Sequence, residues 1–152
     1  MSFTCPQCGA VLASNETCQD RFNLIQMKEQ EQPACYAVHH LSVSCYMLQH
    51  NAYSREGWIQ VRQLLARFVY DGWTPAMARQ HSRVNADSGH RTWSFTRGAK
   101  LPGVEDIVWS YTIADVRLDT AEYYCADVRH WAESILADSE QLVRKLENVA
   151  KK

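Results

Sequence analysis

Residues 33–50, PACYAVHHLSVSCYMLQH, are the stretch from which the fold is read. Pro33 suits the first position of a helix, and neither Gly nor a second Pro interrupts the residues after it, so the spacing predicts one helix over 33–50. At about 100° per residue, Val38, Leu41, Cys45 and Leu48 fall on one side, and Cys35, His39, Ser42, Tyr46 and His50 fall on another. One helix therefore offers an apolar stripe to a core and, beside it, a stripe of hydrogen-bonding and metal-capable groups.

The chain before it supplies sulfur. Cys5-Pro6-Gln7-Cys8-Gly9 is a C-x2-C turn closed by Gly, and two thiolates across such a turn suit one tetrahedral Zn2+ with S–Zn distances near ~2.3 Å. Cys18 comes next. Thr17-Cys18-Gln19-Asp20 has the capping-box form, which puts Cys18 in the first turn of a helix over about 18–31, where the helix N-terminus favours a thiolate. A redox CxxC would need a strand before it and a helix directly behind, and residue 5 is expected to leave no room for that strand.

Three sulfurs leave one position open. The hairpin between the first helix and Pro33 can carry His39 back towards the turn, with His40, about 100° round the helix, as the fallback. The expected site is a structural Cys3His centre of Cys5, Cys8, Cys18 and His39, worth on the order of 10–16 kcal/mol of apparent folding energy. His39 and His50 share a face, but eleven residues at ~1.5 Å rise separate them by roughly 16 Å, so they cannot share an ion. His50 is expected to bond free carbonyls at the end of its helix, and His50→Ala to keep the metal. A catalytic role with Tyr46 and Gln49 is the alternative for it.

Helices continue downstream. Ser54 is an N-cap for a helix to about Asp71 with Trp58, Val61, Leu64, Leu65, Phe68 and Val69 as its core face; Gly72 stops it, and Thr74-Pro75 starts another to about 86. Residues 87–111 read as an irregular basic loop. Arg79, Arg83, Arg91, Arg97 and Lys100, with Trp93 and Phe95 interleaved, read as a solvated basic stretch or, as the alternative, as a surface for nucleic acid or phosphate. Trp93-Ser94-Phe95 reads equally as a short strand or as extended cover. Thr112 caps a brief helix through Arg117. Then Ala121, Cys125, Val128, Ala132, Ile135, Ser139, Leu142, Leu146 and Val149 keep a four-and-three spacing, a coiled-coil-like seam weak only at Ser139. Thirty helical residues extend on the order of 45 Å, so the tail is expected to fray after Ser139 or to meet a second chain.

Composition sets bounds. The 152 residues, 46% hydrophobic and 11% aromatic, predict one domain over 1–152: a zinc knuckle (1–18), helical hairpins (18–86), the basic loop and the C-terminal helices (112–150). The fold class expected is mainly α, a small helical bundle with a long C-terminal helix. A net charge of −1 removes any whole-protein electrostatic case for nucleic acid or anionic membrane. No apolar run reaches a membrane span and MSFTCPQC is no signal peptide, so a cytoplasmic, bacterial-type protein is expected. In that compartment six cysteines do not make a disulfide framework, and Cys45 and Cys125 read as buried thiols.

CPQCGAVL, the lone Cys18, YAVHHLSVSCYMLQH, YTIADVR and DVRHWAES together resemble an uncharacterised bacterial family known only as a domain of unknown function. Its members read CPxCG, a Cys, VHxLTVxxYxxQHP and a helical VRxWA-like tail. The resemblance lands on Cys5, Cys8, Cys18, His39, Tyr46, Gln49 and His50, with departures at His40, at Ser42 for Thr and at Asn51 for Pro. It implies the site and brings no activity.

Three functions compete. A structural zinc protein acting on a protein partner, or as a homodimer through the C-terminal helix, predicts four protein ligands. A metal-dependent or His-based enzyme predicts an open coordination position, or chemistry at Tyr46, Gln49 and His50. A nucleic-acid-binding zinc knuckle predicts steep salt dependence. The H-E-x-x-H, P-loop, G-x-S-x-G and G-x-G-x-x-G patterns are all missing, which favours the first.

Overall fold

Cys5 and Cys8 sit at the turn of a small hairpin. The computed structural model describes residues 2–87 and 97–150. In it β1 (Ser2–Thr4) and β2 (Val11–Ala13) pair antiparallel, with Phe3 opposite Leu12. A strand does therefore precede Cys5. Behind Cys8 come Gly9 and β2 rather than a helix, so the redox arrangement lacks its other half.

Helix α1 (Cys18–Glu31) begins where the capping box puts it: the Asp20 amide donates to Thr17 Oγ1 at 3.1 Å, and the Thr17 amide donates to the Asp20 carboxylate at 3.0 Å. The single helix expected over 33–50 is two. One turn, α2 (Pro33–Tyr36), is separated from α3 (His39–Gln49) by Ala37 and Val38, where Val38 leaves helical geometry at φ −112° and ψ 15°. Packing overrides propensity here. α2 packs on α1 and α6, α3 packs on α1, α4 and α6, and the break lets each segment take its own direction.

Helix α4 (Arg55–Tyr70) is capped by Ser54, which accepts from the Gly57 amide at 3.1 Å, and it buries Trp58, Val61 and Leu65 as its spacing requires. Gly72, at φ +68°, turns the chain into α5 (Pro75–Asp87), where Thr74 accepts from the Met77 amide at 3.2 Å. Arg91, Trp93, Phe95 and the strand reading of 93–95 lie outside the described residues. Beyond them residues 97–100 are exposed, whereas the rest of the irregular segment is anchored, with Leu101, Val104 and Trp109 buried.

The long helix expected at the C-terminal end is divided as well. Its lead-in from Thr112 is only a 3-10 turn, Ile113–Asp115, and α6 (Ala121–Asp138) is followed by a separate α7 (Glu140–Ala150). Ser139 is where they part, and the cause is Arg62, a buried arginine that the apolar spacing of α4 did not single out. Its guanidinium donates to Leu136 O at 2.9 Å and to Ser139 Oγ at 2.7 Å, and it reaches the Glu140 carboxylate at 3.2 Å. In a continuous helix the Leu136 carbonyl would take the Glu140 amide; given a guanidinium instead, it needs no further turn. α7 then lies against the chain, with Leu142, Val143 and Leu146 half-buried on the core. The protein is mainly helical, with an N-terminal cysteine cluster and a C-terminal helix; among the described residues there are seven α-helices and one two-stranded sheet. No described helix is long and apolar enough to cross a membrane.

Candidate metal centre

The Cys5–Gly9 turn closes on itself: the Gly9 amide donates to Cys5 O at 3.0 Å and the Cys5 amide to Ala10 O at 2.9 Å. Gly9 stands at φ +81°, a conformation that disfavours any other residue. This curl sets the two sulfurs side by side, and the start of α1 adds the third. Cys8 Sγ lies 3.6 Å from Cys18 Sγ. All three cysteines are buried and free, and 3.6 Å is far beyond the ~2.05 Å of a disulfide.

The fourth donor is His50. Its Nε2 lies 3.7 Å from Cys5 Sγ, across 45 residues of sequence, and the ligand atoms of Cys5, Cys8, Cys18 and His50 all lie within 4.8 Å of one another. A tetrahedron with zinc–sulfur bonds of ~2.3 Å and a zinc–nitrogen bond of ~2.0–2.1 Å has edges of about 3.5–3.8 Å. The two observed separations are such edges. On the other side of the ring, Nδ1 is 2.8 Å from the Tyr46 carbonyl. A carbonyl oxygen only accepts, so Nδ1 carries the proton and Nε2 presents its lone pair to the sulfurs, the tautomer a metal requires.

His50 thus does bond a carbonyl at the end of its helix, as its position predicts, and with its other nitrogen completes the cluster. The structure brings Cys5, Cys8 and Cys18 together as expected and corrects the fourth position. His39 points elsewhere: its Nδ1 is 3.4 Å from the Glu29 carboxylate, which Ser42 Oγ also meets at 2.6 Å. His40, the fallback, stands edge-on to Phe68 with ring centroids 4.6 Å apart. The reason is direction. The hairpin returns along α3 to its C-terminal end, and the break at Ala37–Val38 leaves His39 and His40 at the far end, about 15 Å of helix away.

The polar stripe on α3 is real, but its two ends serve different neighbours. Tyr46 stacks between Phe22, at 4.0 Å and 8°, and the His50 ring, at 4.2 Å and 29°, so it packs against the imidazole rather than standing free for chemistry. Gln49 is buried and bridges two elements: its Oε1 accepts from Trp131 Nε1 at 3.0 Å and its Nε2 donates to Tyr111 O at 2.7 Å. Asn51 follows His50 at φ +50°, which Asn adopts and Pro cannot, so the turn after the site suits the residue found here.

Burial governs the electrostatics. It pushes the Cys8 thiol up to about 11 and, with the Cys8 sulfur adding to it, pushes Cys18 further. At Cys5 burial acts the same way, but the Cys8 and Gln7 amides directed at its sulfur, together with the neighbouring thiols, outweigh it and leave Cys5 below its ordinary value. Burial also lowers His50, against the Tyr46 carbonyl, which keeps the imidazole neutral near pH 7. Three buried sulfurs and a neutral imidazole form a donor set that could hold a metal ion.

The family model described as a family of unknown function, DUF5946, matches residues 3–140. The chain belongs to this family. The match takes in the whole cluster, from the hairpin to His50, and all of α6, but leaves most of α7 outside. Among curated proteins and solved structures nothing matches. Periodicity alone misses two features of this DUF5946 chain. It puts His50 on one face with His39 but does not say which of the two reaches the sulfurs. It passes over Glu29 because α1 is largely polar, although the spacing from Phe22 and Ile25 puts Glu29 on the same inward face.

Proposed function

We propose that the protein is a helical interaction module held together by a structural Zn2+ at Cys5, Cys8, Cys18 and His50. The observation that carries this reading is the His50 ring, anchored through Nδ1 to Tyr46 O while Nε2 meets the sulfurs. Thiolates with one imidazole are zinc ligands by softness and by geometry. Four protein donors leave no coordination position for water, which is what separates a structural site from a catalytic one. The free thiols needed for it persist in a reducing compartment, in keeping with a cytoplasmic protein. Contact with a protein partner, or with a second copy, would use α7, whose apolar residues Leu142, Val143 and Leu146 are only half covered and whose Val149 is exposed.

Metal analysis of the purified protein tests the reading. One zinc per chain is expected, held as tightly in His39→Ala as in the parent and far more weakly in Cys5→Ser and His50→Ala. A metal-free protein with unchanged thermal stability would overturn it. Mass determination in solution tests the α7 contact: a dimer that Leu146→Glu dissociates supports it, and a monomer at all concentrations rules out the homodimer.

A further inference from the structure

About 15 Å along α3 from His50, the first residues of the helix line a separate groove of about 320 Å³, a size at the small end of ligand pockets. Leu41, Phe68 and Trp73 give it an apolar wall, and His40 sits half-buried, edge-on to Phe68. α6 adds two exposed charges, Arg129 and Glu133. They are four residues apart and so on one face of the helix, yet neither makes an ion pair or hydrogen bond among the described residues. Their order contributes to this: a glutamate four residues before a base pairs well along a helix, and the reverse order pairs less well. Among the described residues, the groove therefore offers one cation and one anion without an ion-pair partner, beside an apolar surface.

We propose that this groove binds a small zwitterion with an apolar side group, an α-amino acid in chemical class. Its carboxylate would lie on Arg129, its ammonium group on Glu133, and its side chain against Phe68, Trp73 and Leu41. Roughly 6 Å of helix rise separates the two charged residues. An α-amino acid carries its ammonium and carboxylate on one carbon, so both charges fall within reach of two long side chains one helical turn apart on one face. Burial, then Arg129, holds His40 below its ordinary value, so it adds a neutral hydrogen-bonding group and not a second cation that would select a simple anion. The site is independent of the metal cluster, and either can fail without the other.

The test is a titration of the metal-loaded protein with L-phenylalanine, followed by calorimetry and by the amide signals of His40, Gly72 and Trp73. 3-Phenylpropionate and phenethylamine serve as single-charge controls. Saturable binding of the amino acid is expected, with each control and each of Arg129→Ala and Glu133→Gln weaker by about tenfold or more, the usual effect of losing a charged hydrogen bond. Both variants alter exposed side chains, and unchanged circular dichroism and zinc content establish that they are folded. The proposal is overturned if no signal at the groove moves at millimolar ligand, if either control binds as tightly as the amino acid, or if both variants bind like the parent.

Discussion

His50→Ala is the perturbation that separates the geometry found from the one expected. Stripping a structural Cys3His zinc removes on the order of 10–16 kcal/mol of apparent folding energy. Shared over four donors, the imidazole accounts for roughly 2.5–4 kcal/mol, or a loss on the order of 10²-fold in zinc affinity. The structure adds a second consequence. His50 ties the hairpin to α3 through Cys5, and Gln7 Nε2 donates to His50 O at 3.3 Å, so loosening the ring loosens residues 2–13. The assay is competition against a chromophoric chelator, repeated with cobalt, whose tetrahedral thiolate spectrum reports the donor set. His50→Ala should bind weakly and lose the four-coordinate Co2+ spectrum, while His39→Ala matches the parent. Full affinity in His50→Ala together with loss in His39→Ala would refute the assignment of the fourth donor.

Three further substitutions probe the scaffold. Burial holds the Glu29 carboxyl above its ordinary range, against Ser42 and His39. The unfolded chain then gives up this proton at lower pH than the folded one, so Glu29 removes stability as pH rises from about 4.5 through its folded value. Denaturant titrations at pH 4.5 and pH 8 should find Glu29→Gln gaining relative to the parent at the higher pH; a constant difference would show that the carboxyl does not titrate in that window. Gln49→Leu leaves Trp131 Nε1 and Tyr111 O without partners and should cost about 2–4 kcal/mol while zinc content stays at the parent value; loss of zinc would mean that Gln49 supports the metal directly. Gly103 stands at φ +99°, and a Cβ there would come within 2.9 Å of Leu142 Cδ1. Gly103→Ala should lower stability by about 1–2 kcal/mol, mostly from the backbone. Adding Leu142→Ala should restore none of it, and full restoration would place the cost in the side-chain clash.

Local chemistry was legible without a structure. The C-x2-C-G turn, the Thr17–Asp20 box, the Ser54 and Thr74 caps and the apolar face of α4 each depend on residues a few positions apart, and each forms as read. The buried state of Cys45 and Cys125 follows from the same short-range periodicity. The break at Val38 was not legible, because neither Gly nor Pro marks it. Ser139 was legible as the weak position of the seam, but Arg62, 77 residues away, which fills the bonds that would have continued the helix, was not.

Three clustered cysteines, a mainly helical chain and a helix carrying both a core face and a polar stripe were determined by the amino-acid sequence alone. Which histidine meets the sulfurs was decided only by tertiary structure. Helical periodicity assigns His39 and His50 to one face and is blind to position along the axis. That position is set by where the hairpin lands, a contact spanning 45 residues, and by the packing of α3 against α1, α4 and α6.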